Sequence, residues 1–82
     1  MVDPLPNLAA NLRRLRAEKD LTQDAVAAGA MMDPAEVRRL ERGVRDPGVR
    51  VIVRLAKGLG VEPHVLLIGI ADRPAPPHEP LA

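Results

Sequence analysis

The chain has 82 residues, 46% of them hydrophobic and 28% charged, the proportions of one small globular domain rather than two domains or a disordered polymer. It contains no Cys, Phe, Tyr or Trp, which excludes disulfides, thiolate metal sites, base-stacking platforms and aromatic cages and leaves an aliphatic core. Its net charge of +1 is unevenly spread: residues 34–57 sum to +4 and hold seven of the twelve basic residues, a stretch that suits either a polyanion partner or a solvated arginine face.

In chain order, Leu8, Leu12 and Leu15 fall at i, i+4 and i+7, which places three leucines on one face of a first helix over about Pro6 to Lys19, ended by Asp20-Leu21. Thr22 is the natural N-cap of a second, short helix over Gln23 to about Gly29, because its hydroxyl can accept from an otherwise unpaired first-turn N–H. Val26, Ala27 and Ala30 form its apolar side. A third helix is predicted over 34–42, with Asp33 as N-cap, Pro34 at N1 where its missing N–H costs nothing, and Glu36 at N3 reaching back as in a capping box. Val37 and Leu40 should face inward, and Gly43 should close the helix.

Asp46-Pro47-Gly48 reads as a turn. Beyond it Val49, Val51 and Val53 alternate like a strand, whereas Ile52, Leu55, Ala56 and Leu59 fit a 3.6 period. No other segment resembles a strand partner, so residues 49–59 read as helix. A fifth short helix is expected from Glu62-Pro63, carrying Val65, Leu66 and Leu67 before Gly69. The expected architecture is therefore an all-α domain of five helices over residues 6–70. Residues 71–82 read as a flexible proline-rich tail, with four prolines in the eleven residues from Asp72. The five N-terminal residues read as a second, shorter tail.

The second and third helices meet through a tight connection and form a helix-turn-helix candidate. Ala27 is small enough for a close crossing, and Val26, Ala30, Met32, Val37 and Leu40 supply the inward positions. Ala35, Arg38, Arg39 and Arg42 are left on the outer side of the third helix, the composition of an element set against phosphates in a major groove.

These segments resemble the small helix-turn-helix domain of the phage repressor and Cro type, the xenobiotic-response-element class of regulators. The resemblance rests on Leu12-Arg13-Arg14-Leu15-Arg16, Leu21-Thr22-Gln23-Asp24, Val26-Ala27, Val37, Arg39-Leu40-Glu41-Arg42-Gly43 with Arg45-Asp46-Pro47, and Leu55 to Val61. It implies that Gln23 and the second helix's N-terminus meet a phosphate. It also implies that Pro34, Ala35 and Arg39 meet base edges with Arg38 close by, and that Arg42 and Arg45 lie over the backbone. Arg16 and Glu41 resemble the family's buried cross-helix ion pair. Two departures stand out. Met31 occupies a turn position where the family usually has Gly, so either that turn avoids positive φ or Met31 is strained. Pro34 and Ala35 offer no side-chain hydrogen bond, so specificity should lean on Arg38, Arg39 and DNA shape.

Catalysis is not expected: there is no Ser, the single Thr is the cap, and a domain of this size buries only roughly 60% of its unfolded surface, with little room for an active-site cavity. His64 and His78 stand apart from any ligand cluster, so neither metal nor other cofactor is expected. No apolar run approaches the ~18 residues of a membrane span, and Met1-Val2-Asp3-Pro4 lacks a secretory layout. The expected location is the cytoplasm, in association with the nucleoid.

The apolar ending Val65, Leu66, Leu67, Ile68 and Ile70 is richer than one short helix needs, and suggests a homodimer contact that would set two groove-reading helices one DNA turn apart. The expected function is a dimeric, sequence-specific repressor on double-stranded DNA, able to reach a partner protein through its tail. The alternative is a protein-interaction module on the same fold, such as an antitoxin or adaptor, with weak DNA contact.

Overall fold

The computed structural model describes residues 2–70. Four α-helices follow one another, α1 Leu5–Glu18, α2 Gln23–Ala30, α3 Pro34–Glu41 and α4 Val49–Leu59, and a 3₁₀ helix, Pro63–Leu67, closes the described chain. The described residues contain no strand. The expected fifth α-helix is this 3₁₀ segment of five residues. Pro63 lacks an N–H, and Gly69 at φ 82° turns the chain two residues beyond its end, so the segment is too short to settle into an α-helical ladder. The proline-rich tail 71–82, with His78, lies outside the described residues.

Each helix starts and stops for a local reason. Helix α1 begins one residue earlier than its leucine spacing suggests, because Asp3 Oδ1 accepts from Leu5 N at 3.0 Å. Leu5 thus belongs to the fold rather than to a tail. Thr22 Oγ1 accepts from Ala25 N at 3.0 Å, and Asp33 Oδ1 accepts from Ala35 N at 2.8 Å. Each of the four α-helices is followed within two residues by one with positive φ: Asp20, Met31, Gly43 and Gly60. The amide of the residue after each of these reaches back five, as in Leu21 N to Arg16 O at 3.0 Å and Met32 N to Ala27 O at 2.9 Å, which satisfies carbonyls that would otherwise lack partners. Met31, at φ 57° and ψ 49°, takes the left-handed conformation without glycine's exemption from its steric cost.

The periodicities of α1 and α4 meet in one aliphatic core of Leu8, Leu12, Leu15, Val26, Val37, Leu40, Ile52, Leu55, Leu59 and Leu66. Burying each such side chain contributes about 1.5–3 kcal/mol. In α4 the buried set is Ile52, Leu55, Ala56 and Leu59, while Val49 and Val53 are exposed, so the valine alternation has no two-sided sheet to serve. The backbones of α2 and α4 approach closely at Gly29 and Gly58. Ala27, the small residue expected where α2 crosses α3, is fully buried; at the α2–α4 contact the space-limiting positions are this glycine pair.

Candidate nucleic-acid interface

Helix α3 is locked by one side and open on the other. Val37, Leu40 and Glu41 are buried, whereas Arg38, Arg39 and Arg42 are exposed. With 100° per residue, the buried positions at 37, 40 and 41 force 35, 38, 39 and 42 outward. The guanidinium side therefore faces away from the core. Pro34 and Ala35, in the first turn, are partly buried.

A carboxylate at the far end of the helix fixes its roll. Glu41 is 5% exposed and receives Arg16 in a bidentate pair, Nε to Oε2 at 2.6 Å and Nη2 to Oε1 at 3.0 Å. Gln23 Nε2 donates to the same Oε1 at 3.1 Å, and Arg13 Nη1 donates to the Glu41 carbonyl. Arg16 also donates from Nη1 to Leu21 O at 3.1 Å. The Glu41 hydrogen bond raises the Arg16 pKa above its ordinary value, opposed by burial and supported by Coulomb attraction to the same carboxylate. Among the described residues no buried side-chain N or O atom is left without a partner. One carboxylate thus ties α1, the start of α2 and the end of α3 together, and Gln23 stands at the α2 N-terminus with its amide held by that network.

The remaining acidic residue on α3 behaves differently from the sequence expectation. Glu36 does not close a capping box; its carboxylate binds Arg39 through Nη1 and Arg45 through Nε at 3.0 Å. The reason is competition: two guanidiniums within reach outbid a neutral backbone N–H as partners for a carboxylate. Arg42, at the helix end, and Arg45, three residues past it, are both exposed.

At the opposite end of the sequence, the five residues expected at a dimer contact separate. Leu66 is 0% exposed and belongs to the core, so it cannot touch a second copy. Leu67 and Ile68 are 46% and 55% exposed, and Val65 and Ile70 are partly buried against the core. Beside them Leu5, Leu8, Pro47, Ile52, Leu67 and Ile70 line a shallow apolar cleft. The segment is held by Asn11, a buried polar residue of α1 whose Nδ2 donates to Leu66 O at 2.8 Å and Ile68 O at 2.9 Å. An Asn inside a leucine stripe carried no sign of that role in the sequence. Among the described residues there is no group of three or more His, Asp or Glu side chains able to hold a metal ion.

The Cro/C1-type helix-turn-helix family matches residues 12–66. The chain belongs to that family of DNA-binding transcription regulators. It is 42% identical over 65 residues, 79% of this chain and 83% of the other, to an uncharacterised helix-turn-helix transcriptional regulator of Sinorhizobium fredii. Among solved structures it resembles the restriction-modification controller protein C.AhdI of Aeromonas hydrophila, with a TM-score of 0.73 and 35% identity, covering 76% of this chain and 94% of the controller. It also resembles a hypothetical transcription factor of Neisseria, with a TM-score of 0.76 and 30% identity over 80% of this chain and 76% of the other. No helix among the described residues is long and apolar enough to cross a membrane.

Proposed function

We propose that this regulator is a dimeric, sequence-specific repressor that lays α3 in the major groove of double-stranded DNA in the cytoplasm. The observation that carries the reading is the division of α3 into a buried side, Val37, Leu40 and Glu41, and an exposed side bearing Arg38, Arg39 and Arg42. In this reading Arg39 reads a guanine, Ala35 and Pro34 pack near base edges, and Arg38 lies close by. Gln23 and the α2 N-terminus hold a phosphate, and Arg42 and Arg45 flank the groove. Leu67 and Ile68, the exposed part of the apolar ending, supply the contact to a second copy, with Val65 and Ile70 at its margin. Such a dimer would set two α3 helices on successive turns of one DNA face. A repressor of this kind acts by occluding a promoter. The deciding experiment is binding to random and selected duplexes across a salt series: affinity should fall steeply with salt and a preferred sequence should emerge.

A second reading is favoured by one observation: Pro34 and Ala35 present no hydrogen-bonding side chain at the first turn of α3. In that case the chain is an interaction module, an antitoxin or adaptor, that meets its partner protein through its surface or through the tail 71–82. Salt-insensitive, sequence-blind binding to duplex DNA would favour this alternative.

A further inference from the structure

We propose that Glu36 is a specificity-determining positioning residue, which holds Arg39 for guanine while lowering the affinity for duplex DNA of every sequence. The inference rests on the DNA-binding reading above and deepens it. Its basis is the shared carboxylate: Glu36 binds Arg39 one turn along the same helix and, through its other oxygen, Arg45 beyond the helix end at 3.0 Å. All three side chains are at least partly open to solvent, at 29% for Glu36, 49% for Arg39 and 48% for Arg45.

An exposed arginine samples many rotamers, and this one is tethered through Nη1 alone. Nη2 and Nε of the same guanidinium stay unspent, and their fork is the shape that meets guanine O6 and N7. The tether thus limits the search without consuming the reading edge. The same carboxylate adds a negative charge to the most basic segment of the chain. Brought toward phosphates it repels any duplex, whatever its sequence, so it lowers non-specific affinity. Because every sequence meets that repulsion, it lowers affinity overall and leaves the preferred-to-random ratio to the positioning of Arg39. Discrimination therefore rests on a pre-positioned Arg39, which compensates for the absence of side-chain donors at Pro34 and Ala35.

The test is fluorescence anisotropy on the full chain, with a random duplex and with the duplex recovered by selection from a random pool, each across a salt series. In Glu36→Gln, binding to the random duplex should tighten by about two- to fivefold, the size of an exposed charge effect. The preferred-to-random ratio should fall by about fivefold, and further in Glu36→Ala, as the bidentate contact loses its support. In an Arg39→Ala background, Glu36→Gln should still tighten random binding but leave the ratio where Arg39→Ala set it. An unchanged ratio in both single variants overturns the proposal. So does an equal fall with and without Arg39, which would make Glu36 itself the base contact. If instead the wild-type chain shows no salt-dependent duplex binding or yields no preferred sequence, the DNA-binding reading fails and this proposal falls with it.

Discussion

Gly29 and Gly58 bring the backbones of α2 and α4 into direct contact: a Cβ on Gly29 would lie 2.9 Å from Gly58 Cα, and one on Gly58 would lie 2.5 Å from Val26 O. Neither obstacle is a side chain that can swing away, so the helices must separate to admit a methyl group. Gly58→Ala should gain about 1 kcal/mol of helix propensity and lose more through overpacking, typically 1–3 kcal/mol. The expected net effect in urea unfolding is a destabilisation of up to about 2 kcal/mol. A stabilised Gly58→Ala variant would show that the two helices slide apart at little cost.

The Arg16–Glu41 pair should matter more for stability than its single ion pair suggests, because Gln23 and Arg13 share the same residue. Arg16→Ala leaves a nearly buried carboxylate with Gln23 as its remaining side-chain partner, and removing one member of a buried pair costs about 3–5 kcal/mol. Arg16 is 26% exposed, so the lower end, about 3 kcal/mol, is expected from chemical denaturation. Glu41→Gln should lose less, since an amide oxygen can still accept from Arg16. Equal losses in the two variants would mean that charge, not hydrogen bonding, dominates.

The particular residues explain how much of this molecule was legible beforehand. Thr22, Asp33, Gly43 and Gly60 mark helix ends by chemistry that acts within a few residues, and the structure has helices ending where they stand. The leucine and isoleucine spacing of α1 and α4 likewise reports their buried sides. What stayed hidden depends on partners distant in sequence or on competition between partners. Asn11 reaches carbonyls 55 and 57 residues away, and Gly58 is constrained by Val26 and Ala30. Glu36 had the spacing of a capping box and, equally, of an i,i+3 pair with Arg39, but Arg45 becomes its second partner only once α3 and the following loop are folded. Asp20 adopts φ 54°, a conformation that an aspartate tolerates but does not advertise.

Asn11 is expected to act on the C-terminal segment more than on the core. Its two bonds to Leu66 O and Ile68 O are the polar anchors of residues 63–70 on α1. Asn11→Ala exposes those carbonyls to an apolar surround at about 1–3 kcal/mol for the unsatisfied groups. Hydrogen exchange should therefore accelerate over 63–70 while α2 and α3 keep their protection. If Leu67 and Ile68 hold two copies together, the same variant should shift the mass seen by light scattering toward the monomer, as should Leu67→Glu. Loss of protection spread evenly over the whole domain would deny the segment any separate opening.

Met31 offers a stabilising substitution. It is 78% exposed, so its side chain contributes little packing, and its φ of 57° carries the cost of a left-handed residue. Met31→Gly removes the Cβ responsible, a gain of about 1–2 kcal/mol, against about 0.5–1 kcal/mol for the entropy glycine adds to the unfolded chain, leaving a net gain of about 0.5–1 kcal/mol. The thermal midpoint should rise by a few degrees, about 4–8 °C per kcal/mol in a domain of this size. A fall in the midpoint would mean that the Met31 side chain makes contacts worth more than the strain.

Arg39 and Gln23 should separate reading from holding. If Arg39 meets a guanine, Arg39→Ala removes a contact worth about 1–3 kcal/mol at the preferred site, a loss of about fivefold to more than a hundredfold, but far less on random duplex. Gln23 sits at a helix N-terminus suited to phosphate, and a phosphate contact is the same on every sequence, so Gln23→Ala should weaken both duplexes by similar factors. Because Gln23 also donates to Glu41, the comparison is made below the unfolding range of the variant. Each cationic contact with a phosphate contributes about 0.9 to the slope of log K against log salt, so Arg42→Ala and Arg45→Ala should each flatten that slope by nearly one unit, whereas Gln23→Ala should not change it. Losing affinity equally on both duplexes with Arg39→Ala would move Arg39 from the base edges to the backbone, and would leave α3 with no side chain that reads sequence by hydrogen bonding other than Arg38.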